Sequence, residues 1–247
     1  MSKIMAPEEP RRPVLAVVVV TAAIVLLVLA AVGLEVRAAD GAREGDEAAA
    51  LQAEVLLQGL RSTYSRVGGV QARFVQTSSG SSYLEPLVQT GQLAWKRPGL
   101  LRWDFQTPTA RLYLSDGSTL WVVEEAERRC TVYRGVDASL KRFFGFLTGM
   151  EDVKKHFDVS VVLSGDELLE GHHVLELRPN DGEASVQQAF VRIDQKSGFV
   201  ASVVLLSPFG DRTQTVLESI RTDADLPDSS FKFERQEGYE WIEASLP

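Results

Sequence analysis

The chain predicts a mainly β, α+β fold: one antiparallel sheet of about eleven strands, curled over a helical lid. Three observations carry this. About a dozen short segments alternate apolar and polar residues and are bounded by Gly, Pro, Asn or Asp, the pattern of half-buried strands. The alternation is clearest in GQLAWKRPGLLRWDFQTPTARLYLSDGSTLW, residues 91–121, where Asp116-Gly117 marks a two-residue hairpin turn. The strand pattern is interrupted once, over 137–156, where Leu140, Phe143, Phe144 and Leu147 recur at helical spacing between Gly145 and Gly149. A plain closed barrel has no need of such a helical pair. No stretch of 20–50 residues repeats, which excludes solenoids and propellers.

The elements follow in order. Residues 1–13 form a short charged leader expected on the cytoplasmic side. Residues 14–34, VLAVVVVTAAIVLLVLAAVGL, carry no charge. At about 1.5 Å per residue the run reaches roughly 30 Å, enough to cross a bilayer core. Arg11 and Arg12 precede it and Glu35 follows, which places the body outside the cytoplasm. Two readings stand: a retained anchor, favoured by the length, and a cleaved signal, for which Val36-Arg37-Ala38 offers a small-x-small site. Residues 35–47 read as a linker and 48–247 as one domain. Asp46 is placed to cap a helix running to Val67, with Leu51, Val55, Leu56, Leu60, Tyr64 and Val67 near one face and Gly68-Gly69 at its end. Strands are expected at 70–77, 88–96, 100–105, 110–115, 120–125 and 129–133. After the helical interruption they resume at 159–164, 172–178, 189–194, 199–207, 213–220 and 231–234. Residues 78–82 form a Ser/Gly hairpin tip.

One side of the first meander is heavily apolar. Leu93 and Trp95 share a face, as do Leu101, Trp103 and Phe105, with Arg102 and Asp104 opposite; Leu112 and Leu114 follow. A sheet must set such a face against a core or around a ligand. For Trp95, Trp103, Phe105, Phe143, Phe144 and Phe146, core packing alone is a sufficient reading. A concave sheet adds a second, an inner surface that is dry when empty and receives apolar chains when opened.

Composition excludes several classes. The formal net charge is −8. Residues 1–39 carry Lys3, Arg11, Arg12 and Arg37 against Glu8, Glu9 and Glu35, so the acidic excess lies in the body. An acidic body without a basic stripe argues against nucleic acid as a partner. The single cysteine, Cys130, rules out an internal disulfide and a multi-cysteine zinc site, and reads as a packed thiol. His172 and His173 are adjacent and would point to opposite faces of a strand; with His156 they make no metal site, and none is expected. No Gly-x-Ser-x-Gly elbow, P-loop or spaced carboxylate pair is present, so no catalytic residue and no cofactor are expected.

The order Gly-x-Leu, Lys-Arg-Pro-Gly-x-x-Arg-Trp, a Pro turn and Ser-Asp-Gly-x-x-Leu-Trp resembles the periplasmic outer-membrane lipoprotein carrier family (LolA-type). Ala72 to Gln76 fits that family's first strand, and FFGFLTG at 143–149 resembles its lid segment. The resemblance spans roughly 51–233 and is densest over 70–133. It implies an unclosed, strongly curved antiparallel barrel with helices over its open side, and no catalysis. It implies an acyl-chain cavity formed by Leu93, Trp95, Leu101, Trp103, Phe105, Leu112, Leu114, Phe143, Phe144 and Leu147. From the residues alone Arg97 reads as a solvated loop arginine; the resemblance makes it a latch bonded to lid carbonyls. It further implies acylated lipoproteins as cargo, an ATP-driven inner-membrane release complex as donor, an outer-membrane acceptor, and a monomer located in the periplasm. The end of the chain, Glu237-Gly238-Tyr239-Glu240-Trp241, departs from the family's usual Pro-x-Gly-Val ending. The rival functions are an inner-membrane-anchored lipid or lipoprotein sensor of the same fold, and a hydrolase, which the missing nucleophile disfavours.

Overall fold

The structure is a computed structural model that describes residues 43–135, 153–155, 157–180, 186–222 and 225–244. Helix α1 (Arg43–Ser65) leads into twelve strands: β1 (Gly69–Ser79), β2 (Leu87–Lys96), β3 (Leu100–Thr107), β4 (Arg111–Ser115), β5 (Thr119–Glu124), β6 (Arg129–Arg134), β7 (Phe157–Val161), β8 (His172–Pro179), β9 (Gln188–Asp194), β10 (Val200–Leu206), β11 (Arg212–Thr222) and β12 (Glu240–Ala244). They form one sheet in the order β12-β6-β5-β4-β3-β2-β1-β11-β10-β9-β8-β7. Neighbours are antiparallel except β12, which runs parallel to β6. The two ends of the order, β12 and β7, do not pair, so the curved sheet stays an unclosed barrel.

Register shifts fall at the central pairs, between Gln71 and Arg73 against β11, between Thr90 and Gly91 against β3, and between Val200 and Ser202 against β9. Such bulges bend and twist a sheet. At the second of them the backbones crowd: a Cβ on Gly91 would lie 1.9 Å from the Asp104 carbonyl oxygen and 2.8 Å from the Phe74 ring, so only glycine fits.

The sheet buries both faces. Its inner face joins α1 in one core that includes Phe74, Trp95, Leu101, Trp103, Phe105 and Tyr113 from one half and Leu175, Leu177, Val191, Ile193 and Val200 from the other. On the outer face Leu112, Leu114, Val123, Cys130 and Val132 form a second cluster, packed under Trp121, Phe233, Tyr239 and Trp241. The chain after β11 therefore crosses the outside of the sheet before adding β12 at its edge. Cys130 is fully buried there; desolvation, then the Glu243 carboxylate, pushes its thiol up to about 11, as for a packed group rather than a nucleophile.

Several expectations need correction. The helix begins at Arg43, inside the segment read as linker, and its buried stripe is Ala53, Leu57, Leu60 and Tyr64. Leu51 and Val55 face solvent, 69% and 62% exposed; they lie about half a turn away from that stripe at 100° per residue. No strand forms at 231–234: Asp228–Phe231 is a 3₁₀ turn, and the last strand comes later, at β12. The Asp116 turn is longer than two residues, because the last β4–β5 pair is Ser115 with Leu120. Asp116 Oδ1 accepts hydrogen bonds from the Ser118 and Thr119 amides, both at 2.9 Å. Burial opposes ionisation of Asp116, but these bonds outweigh it and hold the carboxyl below its ordinary value. The run 14–34, the lid residues Phe143, Phe144, Phe146 and Leu147, and His156 lie outside the described residues. Among the described residues no helix is long and apolar enough to cross a membrane.

Candidate binding face

Period-2 geometry puts alternate residues of β2 and β3 on the inner face, and cross-strand pairs share a face. Trp95 stands opposite Leu101, and Leu93 opposite Trp103. The alternation carries through β1, where Phe74 faces Gly91 across the pair. The absent side chain at Gly91 leaves room for an aromatic group. Phe74 meets Phe105 edge-on at 4.8 Å and Trp103 at 5.9 Å, and Trp103 stacks on Phe105 at 5.5 Å. Tyr113 completes the group, 5.9 Å from Phe105. Trp95, Leu101, Trp103 and Phe105 thus line the inner face together, with Leu93 partly buried beside them.

Leu112 and Leu114 do not belong to this surface. Trp103 pairs with Tyr113, so Tyr113 points inward and its two neighbours point outward. A one-residue shift in register exchanges the faces of a strand. Four consecutive residues of β4 are buried, so no alternation in β4 itself reveals its inner side.

Helix α1 closes over the inner face. The helix packs along β7, and its last turn reaches the aromatic group: Tyr64 packs edge-on against Trp95 at 6.2 Å and against Phe199 at 5.1 Å, and its hydroxyl accepts the Val200 amide at 3.4 Å. One side chain therefore spans from β2 to β10. Burial pushes the Tyr64 phenol up to about 12, so it stays neutral. Gly198, before β10, lets the helix approach: a Cβ there would come 2.7 Å from Thr63 Oγ1.

Arg97 follows β2, and its backbone amide bonds the Gly68 carbonyl at 3.0 Å. Its Nη2 donates to the Tyr64 carbonyl of α1 at 2.5 Å. It is therefore not a solvated loop arginine. The carbonyl it holds belongs to the cover helix; the predicted partners at 143–149 lie outside the described residues. Lys96 points to the outer face, where Nζ binds the Leu226 carbonyl and Asp228.

Away from α1 the inner face turns polar. Gln76 Nε2 donates to Gln89 Oε1 at 3.1 Å, Thr215 donates to Gln76 Oε1 at 3.1 Å, and Ser78 and Thr213 share a bond of 3.1 Å. These buried groups satisfy one another, so that end reads as a finished floor. The sequence places Tyr64 on the apolar side of the helix but does not single out Phe74, Tyr113 or the β8–β10 residues for this face; the same period-2 rule, applied to the other strands, finds most of them. Among the described residues no group of three His, Cys, Asp or Glu could hold a metal. His172 Nδ1 lies 2.9 Å from the Glu170 carbonyl in a turn, and His173 is exposed. What the face offers chemically is a dry aromatic and aliphatic surface under a helix.

The family model described as outer membrane lipoprotein carrier protein LolA matches residues 65–234. Outer-membrane lipoprotein carrier proteins are among the relatives. One from Dechloromonas aromatica (strain RCB) is 27% identical over 66% of this chain and 76% of its own length. One from Glaesserella parasuis serovar 5 (strain SH0165) is 31% identical over 68% and 76%. A crystal structure of an uncharacterized conserved protein from Thermus thermophilus shares the fold, with a TM-score of 0.53 at 10% identity over 78% of this chain and 99% of that one.

Proposed function

This chain belongs to the LolA family of outer membrane lipoprotein carriers, and from that membership we propose that it binds lipoprotein acyl chains on its inner face and ferries lipoproteins through the periplasm from the inner to the outer membrane. The observation that carries the proposal is the inner core itself: an aromatic sheet face covered, among the described residues, chiefly by one helix packed by side chains. Burying a methylene contributes about 0.8 kcal/mol, so a multiply acylated lipoprotein gains tens of kcal/mol from a membrane. A carrier must offer enough apolar surface to accept such a client and bind it weakly enough to release it. A face that fills itself with α1 does this, because the acyl chains replace burial lost when the helix moves. Specificity is then for lipid rather than for client sequence, and no reactive group takes part. The chain from the start of α1 at Arg43, rather than from 48, acts as one carrier domain. An ATP-driven inner-membrane complex supplies the client and an outer-membrane acceptor takes it.

The test is binding of an acylated peptide and its unacylated counterpart to the purified full chain. The acylated form should bind far more tightly; equal affinity would reject acyl-chain recognition. A second reading, an anchored sensor of the same fold, is favoured by the uncharged length of 14–34. N-terminal sequencing of the exported protein separates the two: loss of 14–34 supports the shuttle and retention supports the sensor.

A further inference from the structure

Two donors beneath the end of α1 are buried without a hydrogen-bond partner among the described residues: Trp95 Nε1 and Arg97 Nε. Trp95 is only 4% exposed. Its surroundings are apolar, with the Tyr64 ring edge against it and Val70 and Leu101 paired across from it. Arg97, two residues on, already spends one nitrogen on the Tyr64 carbonyl. Buried side-chain donors nearly always have partners, and each exception calls for an explanation. The polar floor at the other end of this face shows the contrast, since its glutamines, serine and threonines bond one another.

An indole N–H and a guanidinium can only donate, so the missing partner must be an acceptor. A hydrocarbon tail has none. An ester- or amide-linked acyl chain has one, the carbonyl at its head. We propose that Trp95 Nε1–H donates to the carbonyl of a bound acyl chain, holding the head of the chain beside Arg97 under α1 while the tail runs along Phe74, Trp103 and Phe105. The inner face then selects acylated ligands over alkylated ones of the same length. This rests on the acyl-chain reading above.

The experiment displaces a fluorescent fatty-acyl probe from the full chain with two lipopeptides of identical sequence. One carries ester-linked dipalmitoyl chains, the other ether-linked dihexadecyl chains. The wild type should prefer the ester form by about fivefold, the size of one neutral hydrogen bond. In Trp95→Phe the ratio of ester to ether affinity should fall to about one, whatever the change in overall affinity. No ester preference in the wild type, or a preference that survives Trp95→Phe, would each overturn the proposal. The wild-type comparison decides without any variant. Failure of both lipopeptides to displace the probe would instead defeat the acyl-chain reading itself. Dipalmitoyl phosphatidylcholine serves as the third competitor: displacement at least tenfold weaker than by the ester lipopeptide assigns the carbonyl to a lipoprotein, and equal displacement overturns that assignment.

Discussion

The inner and outer faces of the sheet are both apolar and both covered, but the covers are held by different physics. The outer cover ends in a strand. Five residues of β12 pair with β6, and Arg134–Glu243, Arg129–Glu240 and Lys96–Asp228 flank the segment. The ion pairs are exposed and each contributes about 0–1 kcal/mol; the ladder matters more. Lifting a paired strand leaves backbone donors and acceptors on both sides without partners. The inner cover is a helix, which satisfies its own backbone. It leaves the sheet at the cost of side-chain burial and a few bonds, chiefly Arg97 to Tyr64 and Val200 to the Tyr64 hydroxyl. Of two apolar faces in one sheet, the helix-covered one is the less costly to uncover, as the proposed function requires.

The largest expected effect breaks the outer cover. Phe231, fully buried in the 3₁₀ turn packed on β3, should cost about 3–5 kcal/mol when replaced by Ala, read as the loss of stability in urea. Acyl-ligand affinity of the folded protein should stay within about twofold, since the proposed binding face is the inner one. A parallel fall in affinity would mean that the two faces act as one unit.

A smaller effect loosens the inner cover. Arg97→Leu removes a bond from a charged donor, so the closed state should lose about 1.5–3 kcal/mol. Loading with a labelled lipoprotein should persist, while transfer to acceptor membranes slows because re-closure drives release less strongly. Arg97→Lys should not restore transfer, since an ammonium lacks the planar fork. Wild-type transfer in the Leu variant would remove the latch from the mechanism.

The smallest effect lies at the side of the same cover. Lys154 donates to Glu54 of α1 at 2.5 Å, and this bond, with the Lys154 charge, holds the Glu54 carboxyl below its ordinary value. A depressed carboxyl contributes stability above its unfolded value of 4.5 and loses it as pH falls through the folded value. Glu54→Gln should therefore flatten part of the acid decline of the urea midpoint and change little at neutral pH. An unchanged acid decline would show that this pair does not hold the helix.

Much of the strand plan was legible because alternation is local. The segment 88–96 corresponds to Leu87–Lys96 and 100–105 to Leu100–Thr107, and with them the inward set Trp95, Leu101, Trp103 and Phe105. Alternation fails where both faces are buried, as in β4, and there Leu112 and Leu114 were assigned to the wrong side. Helical spacing fails when two apolar stripes share a helix: Leu51 and Val55 form one that faces solvent, while Ala53, Leu57, Leu60 and Tyr64, with Leu56 beside them, meet the core. The last strand was missed because β12 pairs in parallel with a strand more than a hundred residues earlier, and EWIEA lacks clean alternation.

What the amino-acid sequence determined by itself was the class of the fold, the positions of most strands, the apolar face of β2 and β3, and the kinship carried by the Arg-Pro and Asp-Gly motifs. These depend on period, turn chemistry and residue type, all set within a few neighbours along the chain. Tertiary structure alone decided which apolar face lies under a helix and which under a strand, which carbonyl Arg97 holds, and that Trp95 has an unpaired donor among the described residues. Those depend on register and on contacts between segments far apart in the chain, where a one-residue shift reverses a face and a single missing acceptor changes what a surface can bind.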